Sequence, residues 1–177
     1  MIVLGIDPGT RHTGYGVVAL DGRAETVRDY GVIDLGGDLD HALRLETIYE
    51  RIVAVIDAHH PDECAVEMPV YGQNPQSMLK LGRAQAAVML AAVHRQLPVT
   101  QYTPKEIKKA VVGNGNAAKE QVWFMLRAQL GLTESRGLDA SDALAVALCH
   151  LHRVERGPAG TFKDWKGFVA ANPGRVQ

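Results

Sequence analysis

The hydrophobic pattern of this chain first changes period near residue 40, and that change restricts the fold more than any other feature. Before it lie short β-type runs separated by turn residues. An apolar run over 2–7 ends in an acid, a second run covers 14–20, and the turn pair Asp21-Gly22 leads into a third over 24–34. Connections this short predict an antiparallel meander. After the change, apolar residues recur at Leu45, Ile48, Tyr49, Ile52, Val55 and Ile56, the spacing of one helical face across 41–59. Pro61 ends that helix.

From there strands and helices alternate. Residues 64–67 read as a short strand ending in a second acid, and 98–102 as a fifth strand. Asn74-Pro75 reads as an N-cap followed by proline at the first helical position. Thr103-Pro104-Lys105-Glu106 is a capping-box sequence, and further helices are expected over about 117–131 and 139–152. The order β-β-β-α-β-α-β-α-α-α predicts an α/β fold, a mixed five-stranded sheet with helices on both faces.

Composition narrows the function classes less than the pattern does. The 177 residues are 46% hydrophobic and 22% charged, as expected of one globular domain. Net charge is −1, so a case for a nucleic-acid partner has to rest on local clusters of cations. Two cysteines, Cys64 and Cys149, are too few for a disulfide framework and point to a reducing compartment. The tract Cys149-His150-Leu151-His152 splays around a helix and lacks a second Cys pair, so zinc is not expected. No run is long and apolar enough to span a bilayer, and the first residues lack a signal-peptide pattern; the expected location is cytoplasmic. Periodicity fades after His152, so a domain over 1–152 and a flexible tail over 153–177 are expected, with Trp165 and Phe168 able to dock back.

The chemistry-bearing residues are acids. Asp7 ends a run that is apolar at every position except Gly5, as in a strand covered on both faces, so its carboxylate emerges at the rim of the sheet. Glu67 repeats the arrangement after Cys64-Ala65-Val66. Asp139 and Asp142, three apart on a helix, share one face near its N-terminus. Each has a plainer reading: Asp-Pro-Gly-Thr is good turn chemistry, and an acid early in a helix answers the macrodipole. Taken together, four oxygen donors from three segments suit a hard cation, Mg²⁺ or Mn²⁺. Two such ions can activate a water and stabilise the leaving oxygen in phosphodiester cleavage.

Basic residues follow. Lys105, Lys108 and Lys109 share one face of a helix whose other face holds Ile107 and Val111. Lys119 lies in the first turn of the next helix, where backbone N–H groups also favour phosphate. The loop Gly113-Asn114-Gly115-Asn116 between them permits close backbone approach to DNA, and is equally ordinary turn composition.

The ordered set Asp7-Pro8-Gly9-Thr10 with Thr13-Gly14-Tyr15-Gly16, Ala65-Val66-Glu67, Leu79-Lys80-Leu81-Gly82, Val111-Val112-Gly113-Asn114-Gly115 and Asp139-Ala140-Ser141-Asp142-Ala143-Leu144-Ala145 resembles RuvC-type Holliday-junction resolvases over roughly 1–152. The resemblance implies an RNase H-like fold and a homodimer that makes paired symmetric nicks in four-way DNA junctions, leaving 5′-phosphate and 3′-hydroxyl ends. It implies Asp7, Glu67, Asp139 and Asp142 as catalytic metal ligands, with Mg²⁺ (two per site, Mn²⁺ substituting) as cofactor. It also places Lys108 and Lys119 near the scissile phosphate and DNA backbone, with Lys105 and Asn114 as further DNA contacts, and implies the branch-migration proteins RuvA and RuvB as partners.

The chain departs from the family where many relatives carry an aromatic three positions after the strand-end glutamate. Here that position is Val70, and Tyr71 follows as the candidate for stacking on a base. The helix opening at Asn74, with Met78, Leu81, Gln85 and Met89 along a face, is the candidate dimer interface. Competing readings are an RNase H-like RNA-processing nuclease of the YqgF type, an actin- or sugar-kinase-like ATPase, and a junction-binding scaffold without catalysis. The first leaves Lys108 and Lys119 unexplained. The second needs a second related domain, and the third is expected to have lost an acid.

Overall fold

In the computed structural model, residues 1–37, 40–69, 74–134 and 136–155 are described. The meander forms as β1 (Ile2–Asp7), β2 (His12–Asp21) and β3 (Ala24–Asp34), followed by α1 (His41–His59), β4 (Glu63–Glu67) and α2 (Pro75–His94). The remaining elements are β5 (Val99–Tyr102), α3 (Pro104–Val112), α4 (Lys119–Leu130) and α5 (Leu138–Glu155). The order is the one predicted from hydrophobic period.

The start signals act as read. Asn74 Oδ1 accepts from the backbone N–H groups of Gln76 (3.0 Å) and Ser77 (3.3 Å), opening α2 ahead of Pro75. Thr103 and Glu106 complete a reciprocal capping box on α3, which ends at Gly113 in the left-handed region (φ 82°). The last helix runs to Glu155, beyond the expected 139–152. Its final turns are held by the His152 ring, whose Nε2 lies 2.8 Å from Glu25 on β3. The rest of the expected tail lies outside the described residues.

The sheet has the order β3-β2-β1-β4-β5, antiparallel through the meander and parallel from β1 to β4 to β5. Alternation along each strand divides the core in two. Leu4, Ile6, Val17 and Val66 face α1 and α2, against Ile48, Ile52 and Val88. Val3, Val18 and Ala65 face α5, against Leu144, Leu148 and Leu151.

The α5 face has an unusual floor. A β-carbon on Gly5 would lie 2.2 Å from the carbonyl oxygen of Ala143, and one on Gly14 only 1.9 Å from that of Asp139. At Gly16 the nearest atom is Leu144 Cδ2, at 2.8 Å. Glycines on the strands and Ala143 and Ala147 on the helix therefore let α5 rest directly on β1 and β2. This contact sets the depth of the helix that carries Asp139 and Asp142.

Candidate active site

Strand pairing brings the first two acids together. In the parallel register Ile6 lies beside Val66, so Asp7 and Glu67 are the next residues at adjacent strand ends. They share strand parity with Gly5 and Ala65, on the α5 side of the sheet. Asp7 pairs across β2 with Gly14, the residue against which the backbone of Asp139 rests. Asp142 follows one helical turn later. A cleft of about 280 Å³ opens here, lined by Asp7, Glu67 and Asp142 together with Lys108 of α3 and Lys119 of α4. Asp7 and Glu67 also line a smaller cleft of about 110 Å³ on their other side, with Leu81 and Gln85 of α2.

The electrostatics are those of anions held together against their repulsion. Burial, then the charges of Glu67, Asp142 and Asp139, push the Asp7 carboxyl up to about 8, against a smaller opposing pull from Lys119. Burial and Asp142 push Glu67 up to about 7, with Lys119 and Lys108 opposing. The Lys119 ammonium donates to Asp142 Oδ2 at 2.8 Å, and that bond holds its own pKa above the ordinary lysine value. One lysine thus offsets part of the charge of a carboxylate group that favours positive company.

Among the described residues, no three His, Cys, Asp or Glu side chains are already drawn close enough to hold an ion. The donor set nevertheless fits a hard divalent cation. It is all carboxylate, its two most buried members are pushed toward protonation by burial and mutual repulsion, and a cation between them would relieve both effects. Asp139 contributes to the field at Asp7 but lines neither cleft.

Of the predicted DNA contacts, Lys108 and Lys119 face the carboxylates. Lys105 is exposed on α3 outside the cleft. Asn114 uses its side-chain oxygen to accept from the backbone N–H of Asn116 at 3.0 Å, shaping the loop between α3 and α4. Val70 and Tyr71 lie outside the described residues. The Cys-His tract on α5 is engaged elsewhere: His150 sits between the Tyr102 hydroxyl and Glu63, 2.8 Å from each. Both cysteines are buried and free, and burial pushes their thiols up to about 12.

Two contributions escape the sequence reading. Gln85, expected on a dimer face, turns its amide toward the Glu67 carbonyl (3.4 Å) and the Gln101 side chain (2.9 Å), bracing the end of β4. The glycines under α5 are the other. Their signal is glycine at alternate positions, 14 and 16, within an otherwise apolar run.

A model of the family described as crossover junction endodeoxyribonuclease RuvC matches residues 3–150. The Salinibacter ruber protein of that description is 57% identical over 177 residues, covering 99% of each chain. The Cytophaga hutchinsonii one is 47% identical over 99% of this chain and 88% of its own. Among solved structures, Thermus thermophilus RuvC in complex with Holliday junction substrate aligns with a TM-score of 0.84 at 36% identity, covering 89% of this chain and 96% of that one. Identity at this level over nearly the whole length, on the same fold and with the acids converging at the strand ends, places the chain in the RuvC family of crossover junction endodeoxyribonucleases.

Proposed function

We propose that this chain resolves four-way DNA junctions by metal-dependent hydrolysis of phosphodiester bonds, making paired symmetric nicks that leave 5′-phosphate and 3′-hydroxyl ends. The observation that carries the reading is one cleft in which Asp7, Glu67 and Asp142 face Lys108 and Lys119. An acid-only site would repel a phosphodiester, and a lysine-only site would bind one without cutting it. Asp7, Glu67, Asp139 and Asp142 would hold the metal, with Asp139 entering from the first turn of α5. Bound there, a pair of Mg²⁺ ions, or Mn²⁺ in their place, supplies Lewis acidity at the attacking and leaving oxygens.

The protein's own groups do the positioning. Lys119 exchanges its bond to Asp142 for a phosphate oxygen as the site is loaded, and Lys108 neutralises charge beside Glu67. Lys105 and Asn114 serve the DNA backbone farther along α3 and its loop. Tyr71 stacks on a base near the cut.

Two opposed cuts call for two sites related by a two-fold axis, which a homodimer provides. The supporting surface is α2, which carries the expected residues and a second, more exposed apolar stripe. Met78, Leu81, Gln85 and Met89 are partly buried, whereas Leu79 (57% exposed), Leu90 (52%) and Val93 (57%) form an outward apolar stripe with Ala86. RuvA and RuvB are the proposed partners at the junction. No described helix is long and apolar enough to cross a membrane, and the proposed location is the cytoplasm.

The test is incubation of the purified protein with a labelled four-way junction and Mg²⁺ or Mn²⁺. Symmetric nicks are expected. Cleavage of RNA alone would favour the RNA-processing reading, ATP turnover the kinase-like one, and binding without cutting the scaffold. Full cutting activity by a species that sediments only as monomer would overturn the dimer.

A further inference from the structure

The basic side chains outside the catalytic cleft are unevenly placed. A cavity of about 530 Å³ opens where the turn after β1 meets the start of α1 and the first turns of α2, and Arg11, His41, Arg44, Ser77 and Lys80 line it. No carboxylate lines it among the described residues. In a chain of net charge −1 this is a local excess of positive charge, drawn from three separate elements. Arg44 braces the turn by donating to the carbonyl oxygens of Thr10 (3.3 Å) and Gly37 (2.7 Å). Arg11 and Lys80 are exposed and form no ion pair among the described residues. The His41 Nε2 is buried without a hydrogen-bond partner, an unusual state for a ring nitrogen that donates or accepts according to its tautomer.

The position of this cavity supplies the second argument. Leu81 lines both it and the smaller cleft that contains Asp7 and Glu67. Those two acids in turn line the cleft of Lys108 and Lys119. The surface therefore runs basic, acidic, basic in an unbroken series, with the acids between two cationic regions. A phosphodiester strand drawn across carboxylates is repelled by them, so cations on both flanks hold it better than cations on one.

We infer that this cavity is a DNA-backbone site: Arg11 and Lys80 hold phosphates of the strand on the far side of the acids from Lys108 and Lys119. The inference rests on the resolvase reading for the identity of the strand, but the site's ligand is the phosphate backbone itself, without regard to base sequence.

The experiment measures binding of the full chain by fluorescence anisotropy across a salt series, in the non-cutting Asp7→Asn background. Probes are a labelled four-way junction and a linear duplex of the same sequence. Adding Arg11→Gln and Lys80→Gln is expected to weaken binding about tenfold at moderate salt and to reduce the slope of log affinity against log salt by about 2, one for each phosphate left without its cation. The charge-keeping pair Arg11→Lys and Lys80→Arg is expected to recover most of the slope. Unchanged affinity and slope, with unchanged melting temperature, would overturn the site. Should the double glutamine variant melt early, Lys80→Gln alone, at an exposed helix position, reads the same slope change at half its size, and no change there likewise overturns the site. Equal affinity for junction and duplex before the two charges are removed would break the resolvase reading and leave this site standing. A clear junction preference that is indifferent to Arg11 and Lys80 would break this site alone.

Discussion

The two faces of the same sheet are built on opposite rules. Toward α1 and α2, β1 and β2 present Leu4, Ile6 and Val17, all fully buried, and helices rest on those branched side chains. Toward α5 the same strands present Val3 and Val18 at one end, but next to the site the alternate positions are Gly5, Gly14 and Gly16, with Asp7 at the rim, and there the helix rests on backbone. The first face stabilises through apolar area removed from water. The second gives up side-chain area so that a helix bearing two acids lies beside strands bearing two more. Close approach is what places Asp142 in the cleft with Asp7 and Glu67, so on this face small size is the functional property.

The largest expected effect sharpens that contrast at Asp7. Asp7→Asn or Glu67→Gln should lower junction cleavage by about 10³-fold, since a carboxamide keeps the shape but supplies no anion to hold a cation. In the metal-free protein the same change should raise stability near neutral pH. The Asp7 pKa in the fold, about 8, lies above its ordinary value of 3.8, so the group's contribution is fully present below the lower value and is lost as pH rises through the upper one. Asp7→Asn removes that loss. Thermal melts without metal at pH 5 and pH 8 should show wild type losing ground to the variant at the higher pH; a variant that melts lower than wild type at pH 8 would contradict this assignment. For the same reason divalent-metal affinity should strengthen as pH rises toward 8, because metal and protons compete for Asp7 and Glu67.

The next largest separates the faces directly. Gly14→Ala drives a methyl group into the Asp139 carbonyl, a backbone contact that no rotamer change relieves. A cost of about 1–3 kcal/mol is expected, with a loss of about 10²-fold in cleavage by the folded fraction, as the acids of α5 are displaced. Leu4→Ala on the opposite face should cost about 2–5 kcal/mol through the cavity it leaves, yet spare cleavage per folded molecule. Denaturant melts paired with active-site-normalised rates would separate the two outcomes. Equal loss of rate in both variants would mean that α5 is not positioned by the glycine floor.

The smallest expected effect lies within the α5 face. Tyr102→Phe removes the hydroxyl that bonds His150 Nδ1 at 2.8 Å and leaves that buried nitrogen short of a partner. A loss of about 1–2 kcal/mol is expected in urea melts. A neutral result would indicate that the Tyr102, His150 and Glu63 chain adds little to holding α5 against β4 and β5.

Much of the fold is legible in the amino-acid order. Hydrophobic period, Pro61, the Asn74 cap and the Thr103 capping box are local signals, and local backbone chemistry answers them in the same places. Asp7 and Glu67 are legible because each ends an apolar strand, and the parallel register then makes them neighbours. The α2 surface is not. Helical spacing marks a stripe but not which stripe faces the core, and Gln85 turns inward while Leu79, Leu90 and Val93 turn out.

What the amino-acid order determined by itself is the set of elements, their caps, and the identity of the acids and lysines, since these depend on interactions within a few residues. What only the tertiary structure decided is distance across the sheet. The approach of α5 to Gly14, the bond from Lys119 to Asp142, and the cavity that Arg11 and Lys80 both line each join segments far apart in the chain. A pattern of period two or 3.6 carries no information about which helix lies over which strand, or how deep. That is settled by packing, where a single absent β-carbon lets two backbones touch.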